Sequence, residues 1–205
     1  MSLDVCILAG GRGTRLKGVW DGPKCLVPVC GKPLLFHLLE IIWPLAPRAI
    51  RLALGFGSVR VLELLAAQPW WRAGGKENGL DGLYGASVEP PEGTAVALRK
   101  CVAEWNLKAP LLVLNGDTLP YYWISDLLRF HDRCGNVEAT VAWYNNKLAG
   151  AAVVNDSFLS RLAKSNETDL DRLLFGASRY HVSGGFLDVG TPKDFYHAQH
   201  LKGNP

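Results

Sequence analysis

Short apolar runs alternate along this chain with longer stretches whose apolar positions recur every three or four residues. The first run, residues 5–8 (Val-Cys-Ile-Leu), is unbroken and ends in a cluster of glycines, which predicts a buried strand leading into a tight turn. Residues 34–42 have helical spacing that stops at Trp43-Pro44, where proline lacks the amide hydrogen a continuing helix needs. A strand over 50–54, punctuated by Gly55 and Gly57, precedes a helix over 59–67. Strand 84–88 and helix 94–105 follow, then strand 110–114, helix 124–133 and strand 137–143. Pro110-Leu111-Leu112-Val113-Leu114 has no polar position, as expected of a strand covered on both faces at the centre of a parallel sheet. The stretch 69–82, glycine-rich after its tryptophan pair, predicts a surface connection.

Beyond Tyr144 the rhythm loosens. Strands over 151–154 and 180–182 bracket two short helical stretches, and the polar residues 165–168 predict the most mobile loop. Thr191-Pro192 opens a last helix, with proline at the first helical position. Strand–helix alternation requires right-handed crossovers and gives an open, mostly parallel sheet flanked by helices. Such sheets bind ligands at the carboxyl ends of their strands. The expectation is one α/β domain over 1–205, with nucleotide chemistry in 1–144 and acceptor and C-terminal elements in 145–205.

Composition narrows the function classes. The 205 residues are 48% hydrophobic and 20% charged, too apolar for disorder and too short for several domains. Twenty-two basic against nineteen acidic residues leave a scattered +3, without the basic stripe of a nucleic-acid binder. No apolar run approaches a membrane span, and no basic leader with a long apolar stretch opens the chain. Cys6, Cys25, Cys30, Cys101 and Cys134 form no C-x-x-C pair, which reads as reduced thiols. The expected setting is cytoplasmic, with neither nucleic acid nor membrane as partner.

The chemistry concentrates after the first strand, in Leu8-Ala9-Gly10-Gly11-Arg12-Gly13-Thr14-Arg15-Leu16. Glycines there let backbone N–H groups approach a phosphate, although the loop is neither a Walker A motif nor G-x-G-x-x-G. Arg15 and Lys24, in Pro23-Lys24-Cys25-Leu26-Val27-Pro28-Val29, add two cations suited to a triphosphate. A bare structural turn is the bland alternative for the glycines. A helix cap is the alternative for Asp117 or Asp188, and a solvated loop charge for Glu89.

These residues match a family. L-A-G-G-x-G-T-R-L followed by P-K-x-L-x-P-V-x-G-x-P-L resembles the nucleoside-diphosphate-sugar pyrophosphorylases, or sugar-1-phosphate nucleotidyltransferases. Glu89-Pro90-Pro91-Glu92-Gly93-Thr94-Ala95 resembles their E-x-x-x-G-T-A segment. Leu114-Asn115-Gly116-Asp117 resembles their strand-end N-G-D, and Asp188-Val189-Gly190-Thr191-Pro192 their late D-x-G-T-P. The matches run from residue 7 to 195 and lie nearest the short D-glycero-D-manno-heptose 1-phosphate guanylyltransferases. The resemblance implies a Rossmann-like, glycosyltransferase-A-like mixed sheet and transfer of a nucleotidyl group from NTP to a sugar 1-phosphate. It implies Arg15, Lys24 and Asp117 as catalytic residues. Leu8, Ala9, Gly10, Gly11, Gly13, Thr14, Arg15, Lys24, Gly55, Glu89, Gly93 and Thr94 would lie at the nucleotide. Asn115, Gly116, Gly150 and Glu167 would lie at the sugar, and Asp117 and Asp188 at Mg²⁺. The acidic form of the G-T-A segment, with Glu89, points to GTP, and the resemblance leaves a homodimer open.

One element of the pattern is absent. Family members carry a longer insert after the strand at 137–143, with a lysine for the sugar phosphate, whereas Asn145-Asn146-Lys147-Leu148 leads directly to Ala149-Gly150. Lys147 is a candidate replacement, set against the plainer reading of a solvated hairpin lysine. Three other readings compete: a molybdenum-cofactor guanylyltransferase, a phosphocholine cytidylyltransferase using Trp143 and Tyr144 as an aromatic cage, and a non-catalytic nucleotide-sensing subunit.

Overall fold

The computed structural model describes residues 2–73, 84–88 and 92–201. From the amino end, β1 (Asp4–Ala9) leads through 3-10 turns at Thr14–Leu16 and Lys24–Leu26 to a small hairpin of β2 (Pro28–Val29) and β3 (Lys32–Pro33). Next come α1 (Leu34–Ile42), β4 (Ala49–Leu54), α2 (Ser58–Ala66), α3 (Pro69–Ala73), β5 (Tyr84–Val88) and α4 (Thr94–Trp105). Then follow β6 (Leu111–Asn115), β7 (Thr118–Pro120), α5 (Ile124–Arg133), β8 (Ala139–Tyr144) and β9 (Lys147–Val154). The chain continues through α6 (Asp156–Lys164), α7 (Leu170–Leu173), β10 (Ser178–His181), β11 (Phe186–Asp188) and α8 (Pro192–His200).

Seven strands form one sheet in the order β10-β8-β9-β6-β1-β4-β5, with β6 at its centre. β9 alone runs antiparallel, between β6 and β8, so the sheet is mixed but mostly parallel. Strands from 1–144 and from 145–205 share this sheet, which makes the chain a single α/β domain. Side chains alternate between two cores, as strand geometry requires. Val5, Ile7, Leu112 and Leu114 face the helices α1, α2, α5 and α8. Cys6, Leu111 and Val113 face α4, α6 and α7. Each fully buried leucine of β6 contributes about 1.5–3 kcal/mol by leaving water. Being covered on both faces is why that strand has no polar position.

The chain leaves β1 for β4 and β5 on one side and returns to place β6 on the other. The crevice outside the carboxyl ends of β1 and β6 is therefore the topological switch point, where ligands of such sheets lie.

The structure departs from the expectations in several places. Residues 69–73 are helical rather than a surface connection. Trp70 packs edge-on against Phe36 and Trp43, with centroids 5.7 and 5.2 Å apart. The remainder of that stretch, 74–82, lies outside the described residues. β9 begins four residues before the expected 151, because Asn145 and Asn146 both take positive φ (46° and 61°) and close a tight hairpin with β8. The short pair β7–β11 carried no periodicity and was not expected. The loop 165–168, expected to be mobile, is tied to α4: Ala95 N donates to Thr168 O at 3.0 Å and Arg99 Nη2 to Glu167 O at 2.9 Å. All five cysteines are free thiols. No helix among the described residues is long and apolar enough to cross a membrane.

Candidate active site

At the switch point the ends of β1 and β6 are nearly in contact. Gly116 N donates to Leu8 O at 2.8 Å, and a Cβ at 116 would stand 2.8 Å from the Ala9 Cβ, so only glycine lets β6 turn here. The loop after β1 is held from its other side by Phe56 N donating to Gly10 O at 3.2 Å. A Cβ at Gly10 would sit 3.2 Å from Gly55 N, whereas one at Gly11 would meet nothing among the described residues within 4 Å. Gly13 adopts φ 61°, and a Cβ there would press on Lys24 Cγ at 3.2 Å. The lysine stem thus runs directly beneath the glycine turn.

Lys24 ends on Asp117, with Nζ 2.6 Å from Oδ2. The Thr118 hydroxyl donates to the other oxygen, Oδ1, at 3.3 Å. The Lys24 and Asp117 side chains are 13% and 28% exposed, so the pair is screened only partly. Asp188 joins them through sheet register. Antiparallel pairing of β7 with β11 sets Asp188 opposite Thr118, and Val189 N donates to Asp117 O at 2.9 Å. Asp188 is open to solvent on one side, yet its carboxyl is pushed above the usual carboxylate range. Partial burial is the larger cause, followed by the charge of Asp117, with Lys24 and Arg15 opposing. Arg15 closes the ring: a Cβ at Gly190 would lie 3.2 Å from Arg15 Nη2 and 3.5 Å from both Asp188 oxygens. Beneath the centre, burial drives the Cys25 thiol up to about 12.

Asp188 does not cap the last helix. Thr191 does so, accepting from Asp194 N while Asp194 accepts from Thr191 N, a reciprocal capping box. Gly150 also reaches the centre: at φ 77°, a Cβ there would stand 2.5 Å from Thr118 Cγ2. Asn115 is half-buried at the end of β6, and Thr14 is exposed on the turn.

A second group of expected residues gathers where α4 meets the loop before α7. Thr94 Oγ1 accepts from Leu170 N at 2.9 Å, and a Cβ at Gly93 would collide with Thr168 O at 2.3 Å. Glu167 turns Oε1 back to its own loop, accepting from Thr168 N at 2.8 Å and Asp169 N at 3.0 Å. Those amides hold its carboxyl below the usual range, with Arg172 adding a smaller effect. Glu89 lies outside the described residues. Sequence reasoning overlooked Thr118 and, outside its motif, Gly190. Their roles depend on the β7–β11 register, which leaves no periodic signal.

A family model described as the MobA-like NTP transferase domain matches residues 5–180. The chain belongs to that family. This NTP transferase domain is 32% identical over 134 residues to "Bifunctional protein GlmU" of Janthinobacterium sp., covering 65% of this chain and 26% of the relative. It is 26% identical to "Mannose-1-phosphate guanylyltransferase catalytic subunit beta" of Drosophila melanogaster, over 92% of this chain and 60% of that one. It therefore spans between a quarter and three fifths of these curated relatives. Among solved structures, HddC from Yersinia pseudotuberculosis complexed with GMP-PN superposes with a TM-score of 0.69 at 22% identity, covering 97% and 98% of the two chains. UDP-glucose pyrophosphorylase complexed with UDP-glucose gives 0.75 at 15% identity, covering 97% of each chain. At these identities the likeness shows the fold: the mixed, mostly parallel sheet of sugar-phosphate nucleotidyltransferases.

Members of this family generally use a divalent ion, and the donor set here suits Mg²⁺. Asp117 and Asp188 are hard oxygen donors, the charge of Asp117 adds to burial in disfavouring that of Asp188, and a cation between them would relieve that effect. Among the described residues no cluster of three or more His, Cys, Asp or Glu side chains forms a closed metal cage. A site of two carboxylates completed by substrate phosphates is the arrangement Mg²⁺ favours.

Proposed function

We propose that the protein transfers a nucleotidyl group from a nucleoside triphosphate, GTP in preference, to a sugar 1-phosphate, releasing pyrophosphate. The observation that carries this reading is the row of Gly13, Lys24, Asp117, Asp188 and Arg15 across the switch point, with the open glycine turn above it. Gly11 has no steric reason among the described residues to lack a side chain, which fits a backbone that must approach a phosphate closely.

In this reading the backbone of Leu8, Ala9, Gly10, Gly11, Gly13 and Thr14 cradles the triphosphate, with Gly55 beside it. An oxygen of the acceptor phosphate forms the new bond to the α-phosphorus. The bond to the bridging oxygen breaks on the opposite side, and pyrophosphate leaves with that electron pair. The nucleophile arrives already anionic, so no general base is needed; the demand is for positioning and charge neutralisation. Arg15 holds the departing pyrophosphate, Lys24 neutralises the reacting phosphates, and Asn115, Gly116 and Gly150 border the acceptor. Asp117 and Asp188 would hold Mg²⁺, whose charge would offset that of the phosphates.

The guanine preference draws on the guanylyltransferase name of the Drosophila relative, on the GMP-PN in the HddC complex and on the Glu89 segment. The aromatic-cage alternative fits less well. The Arg179 guanidinium already lies 4.1 Å from the Trp143 ring centroid, a poor neighbour for a quaternary ammonium. Pyrophosphate release with the four NTPs against a panel of sugar 1-phosphates tests the reading. The expected result is release with GTP and at least one sugar 1-phosphate. Faster turnover with UTP or CTP would overturn the guanylyl preference, and no release with any pair would overturn the activity.

A further inference from the structure

Asp117 has both oxygens engaged by the chain itself. Oδ2 lies 2.6 Å from the Lys24 ammonium and Oδ1 accepts from the Thr118 hydroxyl at 3.3 Å. Asp188, set beside it by the β7–β11 register, makes no ion pair of its own among the described residues. A divalent ion bonded to Asp117 at about 2.1 Å would stand within a few ångströms of the ammonium that lies 2.6 Å from Oδ2, and the two cations would repel strongly at such range. The lysine cannot simply retire into water, because its side chain is 13% exposed. It can turn toward the glycine loop. Its Cγ lies against Gly13, so rotation about the outer torsions carries the ammonium from Asp117 toward that turn without moving the backbone.

We infer that Lys24 and the divalent ion are alternative occupants of Asp117: in the substrate-free protein the lysine keeps the ion off, and triphosphate at the glycine turn draws the ammonium away and frees the carboxylate. Lys24 then does two things in one movement, exposing a metal ligand and delivering a charge to the phosphates. Metal binds this carboxylate weakly before nucleotide and readily after it. The inference rests on the proposed reading of this sheet edge as a nucleotide and Mg²⁺ site, and extends it to the order in which the site assembles.

The test is Mn²⁺ binding to the full chain without nucleotide, followed by loss of the free-ion electron paramagnetic resonance signal. Lys24→Gln is expected to bind Mn²⁺ about tenfold more tightly than the unaltered protein, the scale of one charge-assisted hydrogen bond. Lys24→Met, which keeps an apolar stem against Gly13, serves as the second variant should the first fold poorly. Arg15→Gln removes an equal charge near Asp188 but leaves the Asp117 pair intact, and should change binding by less than about threefold. Adding Asp117→Asn to Lys24→Gln should abolish the gain. Equal affinity in the unaltered protein and the lysine variants would overturn the inference. So would an equal gain from Arg15→Gln, which would mean diffuse charge rather than competition, or a gain that survives Asp117→Asn. Pyrophosphate release by the unaltered protein is measured alongside. Release without the Mn²⁺ effect removes only the competition, whereas no release with any substrate pair removes the proposed function.

Discussion

At the amino end of β1, Asp4 is 1% exposed and its carboxylate accepts from Arg48 Nε at 2.8 Å, from Arg48 Nη2 and from Lys108 N at 2.7 Å. At the opposite edge of the same sheet, Asp117 receives one ammonium and one hydroxyl, and stands beside a second carboxylate that repels it. Both are aspartate–cation pairs at strand ends. At the amino edge both oxygens are held by three donors of the fold, so the pair staples the segments around Arg48 and Lys108 to the first strand. At the carboxyl edge one carboxylate takes the lysine, and its neighbour Asp188 is left with its charge disfavoured by burial and by Asp117. An ion pair becomes a candidate for chemistry when its surroundings leave it unbalanced.

The sharpest way to break this comparison is to neutralise both aspartates. Asp117→Asn should lower the melting temperature only slightly, because the Lys24 ammonium can turn toward the glycine loop, while lowering nucleotidyl transfer roughly 100- to 1,000-fold, the scale of a lost electrostatic contact to a reacting group. Asp4→Asn should do the reverse. A stability loss of about 2–3 kcal/mol follows from leaving the Arg48 guanidinium and the Lys108 amide poorly matched, with turnover per folded molecule preserved. Thermal unfolding and pyrophosphate release on both variants decide it. If Asp4→Asn costs activity and Asp117→Asn costs stability, the two edges have been assigned the wrong way round.

A smaller effect sharpens the same contrast at Asp188. Its folded carboxyl titrates above the usual range, so the folded state binds the proton more tightly than the unfolded chain. Stability therefore declines as pH rises from the ordinary carboxylate range through the raised folded value, and that handicap is in force at pH 7. Asp188→Asn removes it. Since the side chain is open to solvent on one side, the gain at pH 7 is about 0.5 kcal/mol or less, a rise in Tm of roughly 1–2 °C. It should vanish at pH 3, below both titrations, while turnover is lost at every pH. A variant less stable at pH 7 would mean that Asp188 serves the fold.

What the sequence disclosed, and what it hid, follow from how each element is specified. β1, β6, α1 and α5 are set by bulky apolar residues at regular intervals, so their positions could be read directly. β9 starts with Lys147-Leu148-Ala149-Gly150-Ala151, where one bulky apolar side chain is too little to register as a strand, and its boundary is fixed instead by the Asn145-Asn146 turn and pairing with β8. β7 and β11 have three residues each and exist because each finds the other. The centre divides likewise. Arg15, Lys24, Asp117 and Asp188 stand in recognisable motifs. That Asp117 and Asp188 meet depends on the β7–β11 register, and that Gly93 and Thr94 hold the 165–170 segment depends on packing no motif records.

Glu167 gives the smallest expected effect. Resemblance places it at the sugar, while the structure turns Oε1 onto the amides of Thr168 and Asp169, in a loop that also lends its Thr168 carbonyl to Ala95 N at the start of α4. The amides hold its carboxyl below the usual range, so its contribution to stability is present above the ordinary carboxylate pKa and is lost as pH falls through the depressed folded value. Glu167→Gln keeps an oxygen that accepts the same two bonds without the charge. It should lower Tm slightly at pH 7 and not at all in strong acid. With the carboxylate occupied by its own loop, kcat and both KM values should stay within about twofold of the unaltered protein, as for a residue outside the reacting centre. A KM for the sugar phosphate raised about fivefold or more, with the nucleotide KM unchanged, would mean that the carboxylate leaves its amides to reach the acceptor. The active centre would then extend from Asp117 across to the second cluster at α4.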